Sequence, residues 1–129
     1  MKTLSLGFLL ILLILCGGCN NNSLAPFEPE IGNNQDSFQF QATHVSNVST
    51  TYVFSWNNSG TRATINHSTT TTKGATLLAI KDATGTTVYS KALVPSLNEP
   101  TAVGVAGSWS ISLTLTNFSG TLNFRAEKL

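Results

Sequence analysis

The most regular stretch of this 129-residue chain is Ser108-Trp109-Ser110-Ile111-Ser112-Leu113-Thr114-Leu115. Apolar and hydroxyl side chains alternate through all eight positions. Successive side chains of a β-strand point to opposite faces of a sheet, so a period of two indicates a strand with one apolar and one polar face. The stretch therefore predicts a strand that packs Trp109 into a hydrophobic core.

Shorter stretches with the same period lie on both sides of this strand. They are centred on Phe40, Phe54, Ile65 and Phe124. A further strand is predicted over residues 86–93. Residues 75–80 are instead almost continuously apolar, which predicts a central strand covered on both faces. No segment shows a helical period, so the pattern favours an all-β protein.

Three polar segments that end in glycine separate these strands. They are residues 57–60, 82–85 and 117–120, and each predicts a hairpin turn because glycine adopts positive φ without steric cost. Seven or eight short strands joined in this way predict an antiparallel β-sandwich. A jelly-roll-like strand order is expected first. An immunoglobulin-like order is second, because no cysteine pair is available to join two sheets.

The first nineteen residues have a different pattern. Lys2 supplies a positive start, residues 4–15 are almost wholly apolar, and Gly17 and Gly18 precede Cys19. This order of charge, apolar run and small residues is typical of an export signal. An apolar run of about a dozen residues is too short to cross a hydrocarbon core of roughly 30 Å.

A cysteine directly after small residues resembles the lipobox of bacterial lipoproteins. The resemblance implies a signal peptide over residues 1–18 and a lipidated Cys19 as the mature N-terminus. Cys16 fits less well as the acceptor, because the bulky Leu15 would precede the cut. Cys16 also occupies a position where lipoboxes usually carry leucine. A plain secretory signal and an uncleaved anchor are the alternatives.

The lipobox resemblance also implies a location. A lipidated Cys19 would hold the chain on the extracytoplasmic side of a cell membrane or an outer membrane. Asn20 follows the anchor, where the residue that resembles an inner-membrane retention signal would be Asp. In a host with two membranes, this favours the outer one.

The composition changes again after the anchor. Residues 19–36 are mostly polar and carry two prolines and one glycine, so they predict a flexible tether. The β-sandwich domain is then expected over residues 37–129. Loss of Lys2 with the signal leaves six basic and six acidic residues, and a neutral chain lacks the charge that nucleic-acid binding requires.

Two histidines, His44 and His67, are the residues that titrate near neutrality. Extension of the strand patterns places both side chains on inward faces near strand ends. They would form a two-histidine metal site or a catalytic base, or they would simply cap the core. The mature chain keeps no free thiol, and neither His-x-x-Glu nor Glu-x-x-His spacing occurs to complete a zinc site. We therefore expect no metal, no cofactor and no catalytic residue.

The aromatic residues are the remaining candidates for ligand contact. Trp109 lies on the most regular apolar stripe and is expected in the core. Trp56 stands at a strand end, and Tyr89 is out of phase with Val88. Trp56 and Tyr89 are therefore the predicted exposed rings, suited to stacking against a sugar.

Residues 104–111 and 118–124 are similar to the C-terminal hairpin of jelly-roll accessory domains attached to secreted proteases. This resemblance implies a non-catalytic β-sandwich. The expected function is an anchored binding or accessory module for a protein or glycan partner. A structural or assembly lipoprotein is the alternative, and a small secreted hydrolase or metal-binding domain is more distant. An open edge strand at residues 37–45 would favour a protein partner.

Overall fold

The computed structural model describes residues 28–129, which form one antiparallel sheet without a helix. Its strands are β1 (Glu30–Asn34), β2 (Ser37–Asn58), β3 (Ala63–His67), β4 (Thr70–Lys81), β5 (Thr87–Lys91), β6 (Leu97–Pro100) and β7 (Gly107–Lys128). The predicted all-β, antiparallel fold class is confirmed, with seven strands. The division into two separate sheets, and a jelly-roll or immunoglobulin-like order, stay predictions.

β7 lies at the centre of the sheet, between β2 on one side and β3 and β4 on the other. β7 pairs with β2 along one edge, from Ser37 opposite Glu127 to Asn58 opposite Gly107. Its other edge pairs first with β3 and then with β4. The short strands complete the sheet, since β1 pairs with β2, β6 with β3 and β5 with β4.

The sheet is folded over, because β2 contacts itself. The ring centroids of Phe38 and Phe54 are 5.2 Å apart, and those of Phe40 and Tyr52 are 5.8 Å apart. In a straight strand, sixteen positions would separate Phe38 from Phe54 by roughly 50 Å. We call β1, β3, β6, residues 37–45 of β2 and residues 118–128 of β7 the first half of the sheet. Residues 50–58 of β2, 107–116 of β7 and 75–81 of β4, with β5, form the second half.

The sheet bends along a row of irregular positions that crosses β2, β7 and β4. In β2 the register with β7 shifts repeatedly between Ala42 and Thr50. Backbone φ is positive at His44, Asn47 and Asn117, at 55°, 50° and 46°. Such register shifts are typical of β-bulges, in which an extra residue bends the strand and increases its twist. Because the bends lie side by side, the whole sheet turns at one corner.

Gly74 of β4 is a tight point of this corner. Its φ is +78°, and a Cβ atom there would lie 2.2 Å from the carbonyl oxygen of Asn117 and 2.3 Å from that of Thr116. Real Cβ atoms do not approach backbone oxygens so closely, so only glycine fits without displacing β7.

The inward side chains of the two halves form one core. Its largest fully buried members are Trp56, Trp109, Phe38, Phe40, Phe118, Phe124, Ile65, Leu78, Ile80, Ile111, Leu113 and Leu115. The prediction that Trp109 belongs to the core is confirmed, with 1% of the residue exposed.

Three local predictions are wrong. Residues 75–80 are not covered on both faces, since Leu77 is 45% exposed. Residues 117–120 form no hairpin and lie inside β7, because their positive φ values produce a bulge in place of a chain reversal. Residues 57–60 join β2 to β3, but these two strands do not form a hairpin. β3 pairs with β7 and β6 instead of β2. The turn at residues 82–85 does join a paired hairpin, β4 and β5.

The folded region also begins earlier than the sequence indicated. β1 lies within the range 19–36 that was expected to be a tether, and it pairs with residues 37–41 of β2. The sheet therefore begins at Glu30, which pairs with Gln41. The predicted signal peptide over residues 1–18 and the first part of the tether lie outside the described residues.

Substitution of Gly74 tests the corner directly. Gly74→Ala should lower the free energy of unfolding by about 3 kcal/mol or more, because an unfavourable φ is combined with a collision against β7. Gly85→Ala is the matched control, since Gly85 has φ +85° and a Cβ atom there would meet no other atom within 4 Å. It should cost only about 1 kcal/mol. Equal losses in urea unfolding would contradict the account.

Candidate functional site

The two rings expected to be exposed are both buried. Trp56 is 1% exposed and Tyr89 is 6% exposed, so the prediction that they form a sugar-stacking surface is wrong. Trp56 is covered because the β1–β2 turn folds over it, and its Nε1 donates to the carbonyl oxygen of Asn34 at 3.0 Å. Its ring also packs edge-on against Trp109. The predicted lipidation site, Cys19, lies outside the described residues.

Tyr89 is buried because of a bulge in the β4–β5 pair. Ile80 pairs with Tyr89 and Lys81 pairs with Thr87, which leaves Val88 as an extra residue. Alternation is broken at that position, so Val88 and Tyr89 both point into the core. The assumption of strict alternation therefore gave the wrong face for Tyr89.

The two histidines have different environments. His44 is exposed and lies in the bulge between Ala42 and Val45, where φ is 55°. The expected inward orientation of His44 is wrong, because the bulge breaks the alternation that was extended to it. His67 is buried, as expected, with 2% of the residue exposed. Among residues 28–129, no group of three or more His, Cys, Asp or Glu is placed to hold a metal ion.

His67 begins a chain of polar contacts that runs from the core to solvent. Its Nε2 lies 2.6 Å from the Tyr89 hydroxyl, which donates to Oε1 of Glu99 at 2.9 Å. Nζ of Lys91 forms an ion pair with the same oxygen at 2.5 Å. We call these four residues the His67 network.

The direction of the hydrogen bonds in the His67 network follows from the backbone. The N–H of Val94 donates to Nδ1 of His67 at 3.3 Å, so Nδ1 is an acceptor. In a neutral imidazole the proton must then be on Nε2, which donates to the Tyr89 oxygen. The Tyr89 proton is thereby directed to Glu99. A second proton on His67 would face the Val94 N–H and break this contact.

The pKa values of the network agree with this arrangement. Burial lowers the pKa of His67 below its usual 6.5, an effect that outweighs the opposing charge of Glu99. Burial also raises the pKa of Tyr89, as does its bond to Glu99. Hydrogen bonds from Lys91 and then from Tyr89 lower the pKa of Glu99.

The His67 network joins the two halves of the sheet. His67 on β3 and Glu99 on β6 belong to the first half, whereas Tyr89 and Lys91 lie on β5 of the second half. Both ring nitrogens of His67 have a hydrogen-bond partner. The arrangement thus stabilises the fold along the β5–β6 side and leaves the imidazole no free nitrogen for a substrate.

Two aspartates, Asp82 and Asp36, hold neighbouring loops by accepting hydrogen bonds from them. Oδ1 of Asp82 accepts bonds from Thr84 and Thr86, and its Oδ2 accepts the N–H of Val105. Asp36 accepts the N–H and hydroxyl of Ser59, and its Oδ2 lies 3.2 Å from Nζ of Lys128. These bonds lower the pKa of both carboxyl groups, led by the Thr84 hydroxyl for Asp82 and the Ser59 N–H for Asp36.

The outer face of the first half carries a recess lined by polar and charged side chains. Its volume is about 320 Å³. The side chains that line it are Thr64, Asn66, Asn98, Arg125, Glu127 and Lys128. Lys128 is paired with Asp36, but within residues 28–129 neither Arg125 nor Glu127 has an ion-pair partner.

A line of planar polar side chains crosses this recess and extends beyond it. The strand registers align four of them on β6, β3, β7 and β2 in turn, and we call them the amide row. Its members are Asn98, Asn66, Arg125 and Gln39. Gln39 and Arg125 alternate with apolar residues in the sequence, but the alignment of all four side chains depends on strand pairing, which no local pattern specifies.

Comparison of the chain with family models, curated proteins and solved structures gives no match. Among residues 28–129 there is also no helix with the length and apolarity needed to cross a membrane.

The His67 network should make stability depend on pH. Because the folded pKa of His67 is below its usual 6.5, the unfolded chain binds the proton more readily. The stabilising contribution of neutral His67 is therefore complete above its unfolded pKa of 6.5, and it is lost as the pH falls from there through the lower folded pKa. Thermal unfolding at a series of pH values from about 7.5 to 5.5 should show this loss.

A variant and a matched control isolate the contribution of His67. His67→Gln should reduce stability at pH 7.5 by roughly 1–3 kcal/mol and flatten the pH dependence in this range. His44→Gln removes an exposed imidazole outside the network and should retain the pH dependence of the unaltered chain. If His67→Gln keeps the same slope, the network is not the source.

Proposed function

We propose that this chain is a cell-envelope lipoprotein, anchored through Cys19, whose β domain is a non-catalytic module that binds a neutral glycan. The observation that supports the glycan is the amide row. Amide groups donate and accept hydrogen bonds in a fixed plane, and a guanidinium group donates them in one, which suits the many hydroxyl groups of a sugar. The adjoining Glu127 adds a carboxylate acceptor.

The spacing of the row also suits an extended ligand. Neighbouring strands are about 4.8 Å apart, so the row from Asn98 to Gln39 spans about 14 Å across the sheet. An oligosaccharide laid across the strands would meet one polar side chain at each strand. The recess of about 320 Å³ is within the usual size of small-molecule sites.

The environment of the ionisable groups supports a role in binding over catalysis. His67 has both ring nitrogens engaged, and Asp82 accepts four hydrogen bonds. Within residues 28–129, no buried side-chain nitrogen or oxygen lacks a hydrogen-bond partner. A general base needs a free position directed at a substrate, and these groups are instead used to hold the fold.

Binding of glycans to the full-length chain in detergent tests the proposed site. We expect at least one neutral oligosaccharide from the cell envelope to bind in isothermal titration calorimetry. Asn66→Ala and Arg125→Ala should each weaken it about tenfold, as expected for the loss of one or two hydrogen bonds.

Lys81→Ala is the control for this measurement, because Lys81 is an exposed cation on the opposite outer face. It should leave the affinity unchanged. A panel of glycans with no binding to a cooperatively folded chain would contradict the glycan proposal. Binding that is insensitive to Asn66→Ala and Arg125→Ala would contradict the amide row as its site.

The anchor is tested separately by fractionation of a bacterial host labelled with radioactive palmitate. Cys19→Ser should abolish labelling and release the chain from the membrane fraction, because the lipobox-like segment places its acceptor at Cys19. Cys16→Ser should retain both, since Cys16 leaves with the signal peptide. The reverse result, or labelling in neither chain, would refute the assignment of Cys19.

A further inference from the structure

The loop between β6 and β7 presents apolar side chains to solvent. Val103 is 71% exposed and Val105 is 51% exposed, and the neighbouring Ala102 and Ala106 are exposed as well. We call residues 102–106 the apolar loop. Isolated exposed apolar residues are normal on a protein surface, whereas a contiguous group of them points to contact with a membrane or another molecule.

The outward orientation of the two valines is fixed by Gly104 between them. A Cβ atom at Gly104 would lie 2.8 Å from Cβ of Asp82 and 3.0 Å from Cγ1 of Val88. The loop is therefore packed against the domain at this position, and only a residue without a side chain fits there. The exposure of Val103 and Val105 shows that the side chains on either side of Gly104 point away from the domain.

The backbone of the apolar loop is hydrogen-bonded within the domain. The N–H groups of Ala102, Gly104 and Val105 donate at 2.7 to 2.9 Å. Their acceptors are the carbonyl oxygens of Val88 and Thr61 and a carboxylate oxygen of Asp82. Hydrocarbon offers no partner for a polar backbone group, so a segment that enters it must satisfy that group internally. The loop can therefore meet hydrocarbon with fewer unpaired groups than a free loop of the same sequence.

A polar recess of about 410 Å³ adjoins the apolar loop at Ala106. Gln35, Asn57 and Ser59 are among the side chains that line it, and none of the lining residues is charged. An apolar tip beside an uncharged polar rim matches the boundary of a bilayer, where acyl chains meet headgroups.

We propose that the apolar loop inserts into the surface of the phospholipid membrane that carries the chain. The inference rests on the proposed anchor at Cys19, which would confine the domain to that surface. Eleven positions separate Cys19 from Glu30, where the sheet begins, and an extended chain of this length reaches roughly 36 Å.

This reach is sufficient for the loop to face the membrane. β1 runs from Glu30 toward the end of the domain that carries the loop, and its length to Asn34 is roughly 14 Å. Because the amide row crosses the strands, insertion of the loop would hold that row parallel to the membrane.

Quenching of tryptophan fluorescence by brominated lipid tests the insertion, on the full chain reconstituted into phosphatidylcholine vesicles. Val103→Trp places an indole at the tip of the loop, and bromine on the acyl chains quenches an indole that reaches them. Val53→Trp is the matched control, because Val53 is a similarly exposed valine, at 66%, on the outer face of β2. Trp56 and Trp109 are each 1% exposed and give a common background. We expect several-fold stronger quenching of Val103→Trp than of Val53→Trp.

A second substitution separates apolar insertion from mere proximity to lipid. Val105→Asp in the Val103→Trp chain should reduce the quenching several-fold, because a carboxylate is costly to place in hydrocarbon. Leu77→Asp is its control, since Leu77 is comparably exposed, at 45%, and lies on β4. It should leave the quenching unchanged. Equal quenching at positions 103 and 53, or quenching indifferent to Val105→Asp, would overturn the proposal.

Failure of the insertion and failure of the anchor give different results. A chain that sediments with the vesicles but shows no quenching at position 103 overturns the insertion and leaves the anchor intact. Quenching at position 103 that persists after Cys19→Ser supports the insertion even where palmitate labelling has refuted the anchor. A chain that does not sediment with the vesicles overturns the insertion as well.

Discussion

The contact of β2 with itself, Phe38 against Phe54, is the constraint on which the rest of this structure depends. It exists because three adjacent strands bend at one level, through bulges in β2 and β7 and through Gly74 in β4. Without the bend, a single sheet of seven strands would expose one apolar face to water. With it, the two halves bury each other's aromatic and branched side chains, which supplies the main stabilising term of a small domain.

The fold also determines how chemistry is distributed over the molecule. Folding the sheet over brings β5 beside β6, and the His67 network joins those two edges with hydrogen bonds. It also leaves two outer faces of different character. One presents amides, an arginine and a glutamate in cross-strand register, whereas the other presents hydroxyl groups around Val53.

The sequence predicted the features that depend on local alternation. Strands around Phe40, Ile65, Trp109 and Phe124, and the burial of Trp109, follow from the period of two. The errors at His44 and Tyr89 have one cause, since a bulge adds a residue and reverses the face on which the next side chains lie. The turn-like segment at residues 117–120 was misassigned for a related reason, because positive φ serves a bulge as well as a hairpin. The amide row required the registers of β6, β3, β7 and β2, which depend on contacts distant in sequence.

The most direct test of the folded sheet is a nuclear Overhauser effect between the ring protons of Phe38 and Phe54, measured with selectively labelled phenylalanine. The contact between Phe40 and Phe124, paired on adjacent strands with centroids 5.8 Å apart, is an internal control that a flat sheet would also show. Both signals are expected from the folded sheet. A signal from Phe40 and Phe124 without one from Phe38 and Phe54 would mean that β2 does not fold back on itself.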